Sequence, residues 1–102
     1  MRYQLVLQLA ADTLTDYDAL VALESQLTDV LGNGAVDGHD MGSGQANIFI
    51  HTADPADTFR QLVPVLERGG HISRVTAAYR RMDGDRYHVL WPENLSRQFS
   101  VT

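Results

Sequence analysis

The stretch from Val36 to His51 constrains the fold more than any other, because two extended runs meet there at Gly42-Ser43-Gly44. Glycines flanking a serine permit the positive φ of a tight reversal, so residues 35–41 and 45–51 are expected to pair as a central β-hairpin. Ala46, Ile48 and Ile50 then share one face, and Asn47, Phe49 and His51 the other. The remaining elements must build a two-sided sheet onto this hairpin.

Upstream, Tyr3, Leu5, Leu7 and Leu9 alternate with Gln4, Val6 and Gln8, the period of a strand with one buried and one partly wet face. The period then changes. Tyr17, Leu20, Leu23, Leu27, Val30 and Leu31 mark one side of a helix, with Thr15 as expected N-cap, Asp16 and Asp18 suited to the helix dipole, and Gly32 as terminator. Downstream, Asp54-Pro55-Ala56-Asp57 is a helix start, with Asp54 as cap and Pro55 in the first turn. Phe59, Leu62, Val63 and Leu66 form its expected buried face, Gly69-Gly70 ends it, and Pro64 inside it predicts a kink on an exposed side. Alternation returns from Ile72 to Arg81 through Val75, Ala77 and Tyr79. Asp83-Gly84 then turns the chain into Tyr87, Val89 and Trp91, which Pro92 stops.

The element order β-α-β-β-α-β-β resembles the ferredoxin-like α/β plait from about residue 2 to 91. That resemblance implies an α+β, two-layer βαββαβ domain with an added C-terminal strand. Its sheet is predominantly antiparallel, in the order 5-4-1-3-2, with the first and third strands as parallel neighbours in the centre. Residues 1–92 form the single domain and 93–102 a polar tail, held only by Leu95, Phe99 and Val101 and expected to fray. The hairpin and the Trp91-Pro92-Glu93 end resemble those of small uncharacterised bacterial proteins. This resemblance brings no catalytic motif.

Composition excludes several chemistries. The 102 residues contain no cysteine, which removes disulfides, thiolate zinc sites and thiol nucleophiles. All eight basic residues are arginine, so no lysine can form a Schiff base or serve a phosphate loop. Residues 1–57 hold nine acids and one arginine, net −8, and residues 58–102 hold four acids and seven arginines, net +3, which gives the overall −5. Such a chain is not a general nucleic-acid binder. No stretch reads as a signal peptide or reaches transmembrane length, so a cytoplasmic protein without membrane contact is expected.

His39, His51, Asp37 and Asp40 lie along the hairpin, but His39 and Asp40 point to opposite sheet faces, and polar surface is the expected role rather than a metal site. Gly42-Ser43-Gly44 lacks the lysine and following helix of a phosphate loop, and no serine has nucleophile-elbow surroundings. No catalytic residue, metal site or cofactor is therefore assigned. Arg74, Arg80, Arg81 and Arg86 cluster around the last hairpin. The binding surface expected from the pattern is the sheet face opposite the helices, through Val6, Gln8, Asn47, Phe49, His51 and Arg80, with Trp91 at the strand edge as a second contact; the alternative is a face that is merely wet or is covered by the C-terminal tail through Phe99. The function expected is a protein-binding, inhibitor-type or self-associating domain, with a homodimer and a protein partner as the occupants. The alternatives are a cofactor-free enzyme resembling the plait monooxygenases of antibiotic biosynthesis, lined by Asn47, His51, Tyr79 and Trp91, and a small-molecule sensor.

Overall fold

The computed structural model describes residues 2–10, 14–32, 34–42, 44–95 and 99–101, with the side chains of 14–16 left aside. Its elements are β1 (Tyr3–Ala10), α1 (Leu14–Leu31), β2 (Val36–Gly42), β3 (Gln45–Thr52), α2 (Pro55–Arg68), β4 (Thr76–Arg81) and β5 (His88–Trp91). They form an α+β domain, two helices on one open five-stranded sheet of order β2-β3-β1-β4-β5, an arrangement compatible with a plait. Every strand pairing is antiparallel. The expectation that β1 and β3 run parallel is thereby corrected. α1 returns the chain so that β2 runs with β1, and the β2–β3 hairpin then reverses direction, leaving β3 opposed to β1.

Leu5, Leu7, Ile48, Ile50 and Ala77 lie on one face of the sheet and are fully or almost fully buried beneath Leu20, Leu23 and Leu27 of α1 and Leu62 and Leu66 of α2. Each helix shows why it sits there. α1 ends at Gly32, whose φ of +88° is the left-handed conformation a helix stop requires, and whose N–H donates to the Thr28 carbonyl. It begins at Leu14, so Thr15 is a first-turn residue rather than the cap. Tyr17 and Val30 sit at the margins of the apolar stripe and are exposed. α2 begins as its sequence indicates: the Asp54 carboxylate accepts the Asp57 N–H at 3.1 Å. Val65 is buried there and Val63 only half-buried, while Pro64 is exposed.

Two bulges alter the expected alternation. Between Val36 and Gly38, β2 gains one residue, Asp37, and Gly38 takes a φ of +153° that disfavours a side chain. In β5, Leu90 is the extra residue between Val89, opposite Ala78, and Trp91, opposite Ala77. Leu90 and Trp91 therefore both pack toward the helices, while Val89 stays exposed. Residues 72–75, expected to begin β4, instead form a turn in which Arg74 and Val75 donate to the His71 carbonyl.

The tail packs back on the sheet. Phe99 is buried against Val6 and Ala78 on the face away from the helices, with Phe49, Tyr87, Leu95 and Val101 around it. At these positions the tail is packed against the sheet. Residues 96–98 and 102 lie outside the described residues, as does Ser43 in the turn of the hairpin.

Candidate functional site

The face opposite the helices carries the expected binding residues in three rows. Register places Gln4 between His51 and Arg80, Val6 between Phe49 and Ala78, and Gln8 between Asn47 and Thr76. The rows are polar, apolar and polar. Because the apolar row is only one residue deep along each strand, a single aromatic ring can cover it, and Phe99 does so with Tyr87 edge-on at 5.0 Å.

Each row has its own chemistry. In the first, Arg80 donates from Nε to the Gln4 side-chain oxygen, and its Nη1 reaches the carbonyls of Arg81, Met82 and Gly84. Arg80 thus ties the loop between β4 and β5, a structural role that its charged, forked guanidinium suits. In the third row, Gln8 is 2% exposed and donates from Nε2 to both the Asn47 Oδ1 and the Ser100 carbonyl. The tail is therefore joined to the sheet by a hydrogen bond as well as by Phe99. Asn47 is 1% exposed, and its Nδ2 has no partner among the described residues.

The expected site residues are thus brought to one face but not left open. Val6, Gln8 and Asn47 are covered, Phe49, His51 and Arg80 are half-buried, and the tail occupies the place expected for a ligand or partner. The sequence signal for this cover is sparse, consisting of Leu95, Phe99 and Val101 within polar residues. Trp91 does not present its ring at the edge. Its indole N–H donates to the Ile72 carbonyl at 2.9 Å and the ring leans toward Phe59.

The two hairpin histidines are separated by the sheet. His39 faces α1, with Nδ1 2.9 Å from Glu24 Oε2 and its ring edge-on to Tyr17. His51 faces the other way, and the bulge at Asp37 brings that carboxylate to 3.6 Å from His51 Nε2. Among the described residues no group of three or more histidine or carboxylate side chains is placed to hold a metal ion. The four residues suggested for an enzyme pocket are divided in the same way, Asn47 and His51 on the tail side, Tyr79 and Trp91 on the helix side.

Concave surface collects at the end of the sheet where β1 finishes. Arg74 stands there, with His71 three residues before it, and burial followed by the Arg74 charge holds the His71 imidazole below its ordinary pKa. Sequence reasoning placed Arg74 with the other arginines of the last hairpin, whereas the turn at residues 72–74 sets it at the opposite end of β4 from Arg80 and Arg81.

Strand order also sorts the charges. β2, with Asp37 and Asp40, is one edge of the sheet, and α1, with no basic residue, lies beside it. β5 is the other edge, beside Arg81 at the end of β4 and the loop that follows, which bears Arg86 together with Asp83 and Asp85. Among the described residues no helix is long and apolar enough to cross a membrane. The chain matches no protein-family model, no curated protein and no solved structure.

Proposed function

We propose that this chain is a non-enzymatic protein-binding module of the ferredoxin-like βαββαβ type with an added strand, working in the cytoplasm and forming a homodimer. The observation that carries the reading is the acidic flank that strand order builds from α1 and β2, set at the opposite edge from Arg81 and Arg86, which stand among Asp83 and Asp85 with Arg81 paired to Asp83. Two copies stacked face to face about a two-fold axis can set each acidic flank against the other copy's arginines, whereas an edge pairing through β5 sets like flanks together and rests on apolar contact alone. Complementary charge of this kind raises encounter rate and specificity more than affinity, so apolar contact must supply the holding energy.

The cover over Val6 moves that contact away from the centre of the sheet face. Val89 on β5 is exposed, and Phe49 is half-buried at the margin of the tail. Sedimentation velocity at rising protein concentration tests the reading: it predicts about twice the monomer mass of 11.3 kDa, with assembly slowed by added salt, since charges beyond about 8–10 Å are screened at physiological ionic strength. Val89→Arg should weaken an edge dimer, and Phe49→Arg a face dimer. A monomer at every concentration and at low salt overturns self-association. A basic protein recovered with the chain from its host would then mark the acidic flank as the contact for an inhibitor-type partner.

A further inference from the structure

Two adjoining hollows at the end of β1 share Leu9, Ala10 and Arg74. The inner one, of about 50 Å³, is walled by Ala19, Leu20 and Leu23 of α1 together with Ala46 and His71. The outer one, of about 350 Å³, opens among Gln8, Gly44, Gln45 and Thr76. One hollow is mainly apolar and the other mainly polar, and Arg74 stands where they meet.

Among the described residues no acidic side chain lines either hollow; Asp12 and the side chain of Asp16 lie outside them. The described ion pairs join Glu24 to His39, Asp37 to His51, Asp57 to Arg60 and Asp83 to Arg81, and none involves Arg74. Arg74 is exposed, and its guanidinium is a planar fork that matches a carboxylate. His71, held toward its neutral form by burial, adds no second charge at neutral pH but can still donate a hydrogen bond. Gln45 supplies an amide on the far side of the outer hollow. Gln8 and Thr76 already have partners, so the polar recognition falls to Arg74 and Gln45.

We infer that this junction is a binding site for a short-chain aliphatic carboxylate, its anionic head on Arg74 and its chain in the slot between Leu9, Leu20, Leu23 and Ala46. The inner hollow, of about 50 Å³, is small, so only a short chain can enter it. Inorganic phosphate meets the same arginine but leaves the slot unused. An aliphatic amine meets the wrong charge.

Titration of isotope-labelled protein with acetate, butanoate and pentanoate, followed by amide chemical shifts, tests the site. Saturable shifts centred on Leu9, Ala46 and Arg74, with butanoate and pentanoate binding at least tenfold more tightly than acetate or inorganic phosphate and butylamine giving none, are expected. Arg74→Gln should weaken the longer acids at least tenfold. Ala19→Leu, a change on the exposed side of α1 that fills the slot, should abolish the gain with chain length and keep the acetate response. Both variants should retain the parent spectrum elsewhere, which separates a lost site from a lost fold. The inference is overturned by any of three results: no saturable shift with any carboxylate up to about 10 mM, a generous limit for a ligand this small; equal affinity for phosphate, acetate and pentanoate; or unchanged binding in Arg74→Gln.

Discussion

The two faces of the sheet bury comparable positions by different means. Under the helices, Leu5, Leu7, Ile48 and Ile50 meet leucines from two regular elements, and the apolar surface is continuous from β3 to β4. On the other face only the Val6 row is apolar, with polar rows above and below it, and the cover is an irregular tail anchored by Phe99 and the Gln8–Ser100 hydrogen bond. Alternation alone does not say which side of a strand is wet. Here both sides are dry at the centre of β1, and the difference is whether secondary structure or a few tail residues exclude the water.

That comparison is open to disruption, and the helix side should respond most. Leu62→Ala removes a fully buried side chain from a close-packed core and should cost about 2–5 kcal/mol in urea denaturation, with the slope unchanged. Phe99→Ala should cost less, about 1–3 kcal/mol, because the ring covers a single apolar row rather than a continuous core. Its second signature is exposure of the Val6 row, read as increased dye binding. Gln8→Ala should cost about 1–2 kcal/mol, since it leaves the buried Asn47 Oδ1 and the Ser100 carbonyl without their donor.

The smallest effect concerns pH. Burial lowers the His71 pKa, so the unfolded chain takes up this proton more readily than the folded one. The stability contributed by neutral His71 is present above the unfolded value near 6.5 and is lost as pH falls through the lower folded value. Thermal melts between neutral pH and about pH 5 should show that decline in the parent and a flatter profile in His71→Gln.

Much of the helix side was legible in the sequence because each signal there was redundant. Leucines at period two and at helical spacing, a proline behind an aspartate cap, and glycines at the ends agree with one another, and the strand order emerged as expected. The parallel placement of β1 and β3 was an error of direction rather than of pattern, since a hairpin must reverse the strand that follows it. The bulges at Asp37 and Leu90 were not legible, because an extra residue leaves the period of the neighbouring residues intact while turning the following side chains. This is how Trp91 came to face Phe59 instead of the edge. The residues from Val6 to Arg80 do share one sheet face, as period-two alternation requires. Cover by the tail through Phe99 was one of the readings the sequence left open, and it stayed open because three apolar residues in a polar tail have no period to detect. Arg74 was grouped with the other arginines by its place in the sequence, although the extended chain between it and Arg80 sets the two at opposite ends of β4.

The claim that the tail closes the second face is tested most directly by proton–proton contacts in solution. At neutral pH, nuclear Overhauser effects should join the Phe99 ring to the Val6 and Ala78 methyl groups, at protein concentrations low enough to hold the chain as a monomer. Absence of those contacts, with Val6 amide and methyl signals responding to a soluble paramagnetic probe, would contradict the closed face and return Val6 and Phe49 to the surface available to a partner.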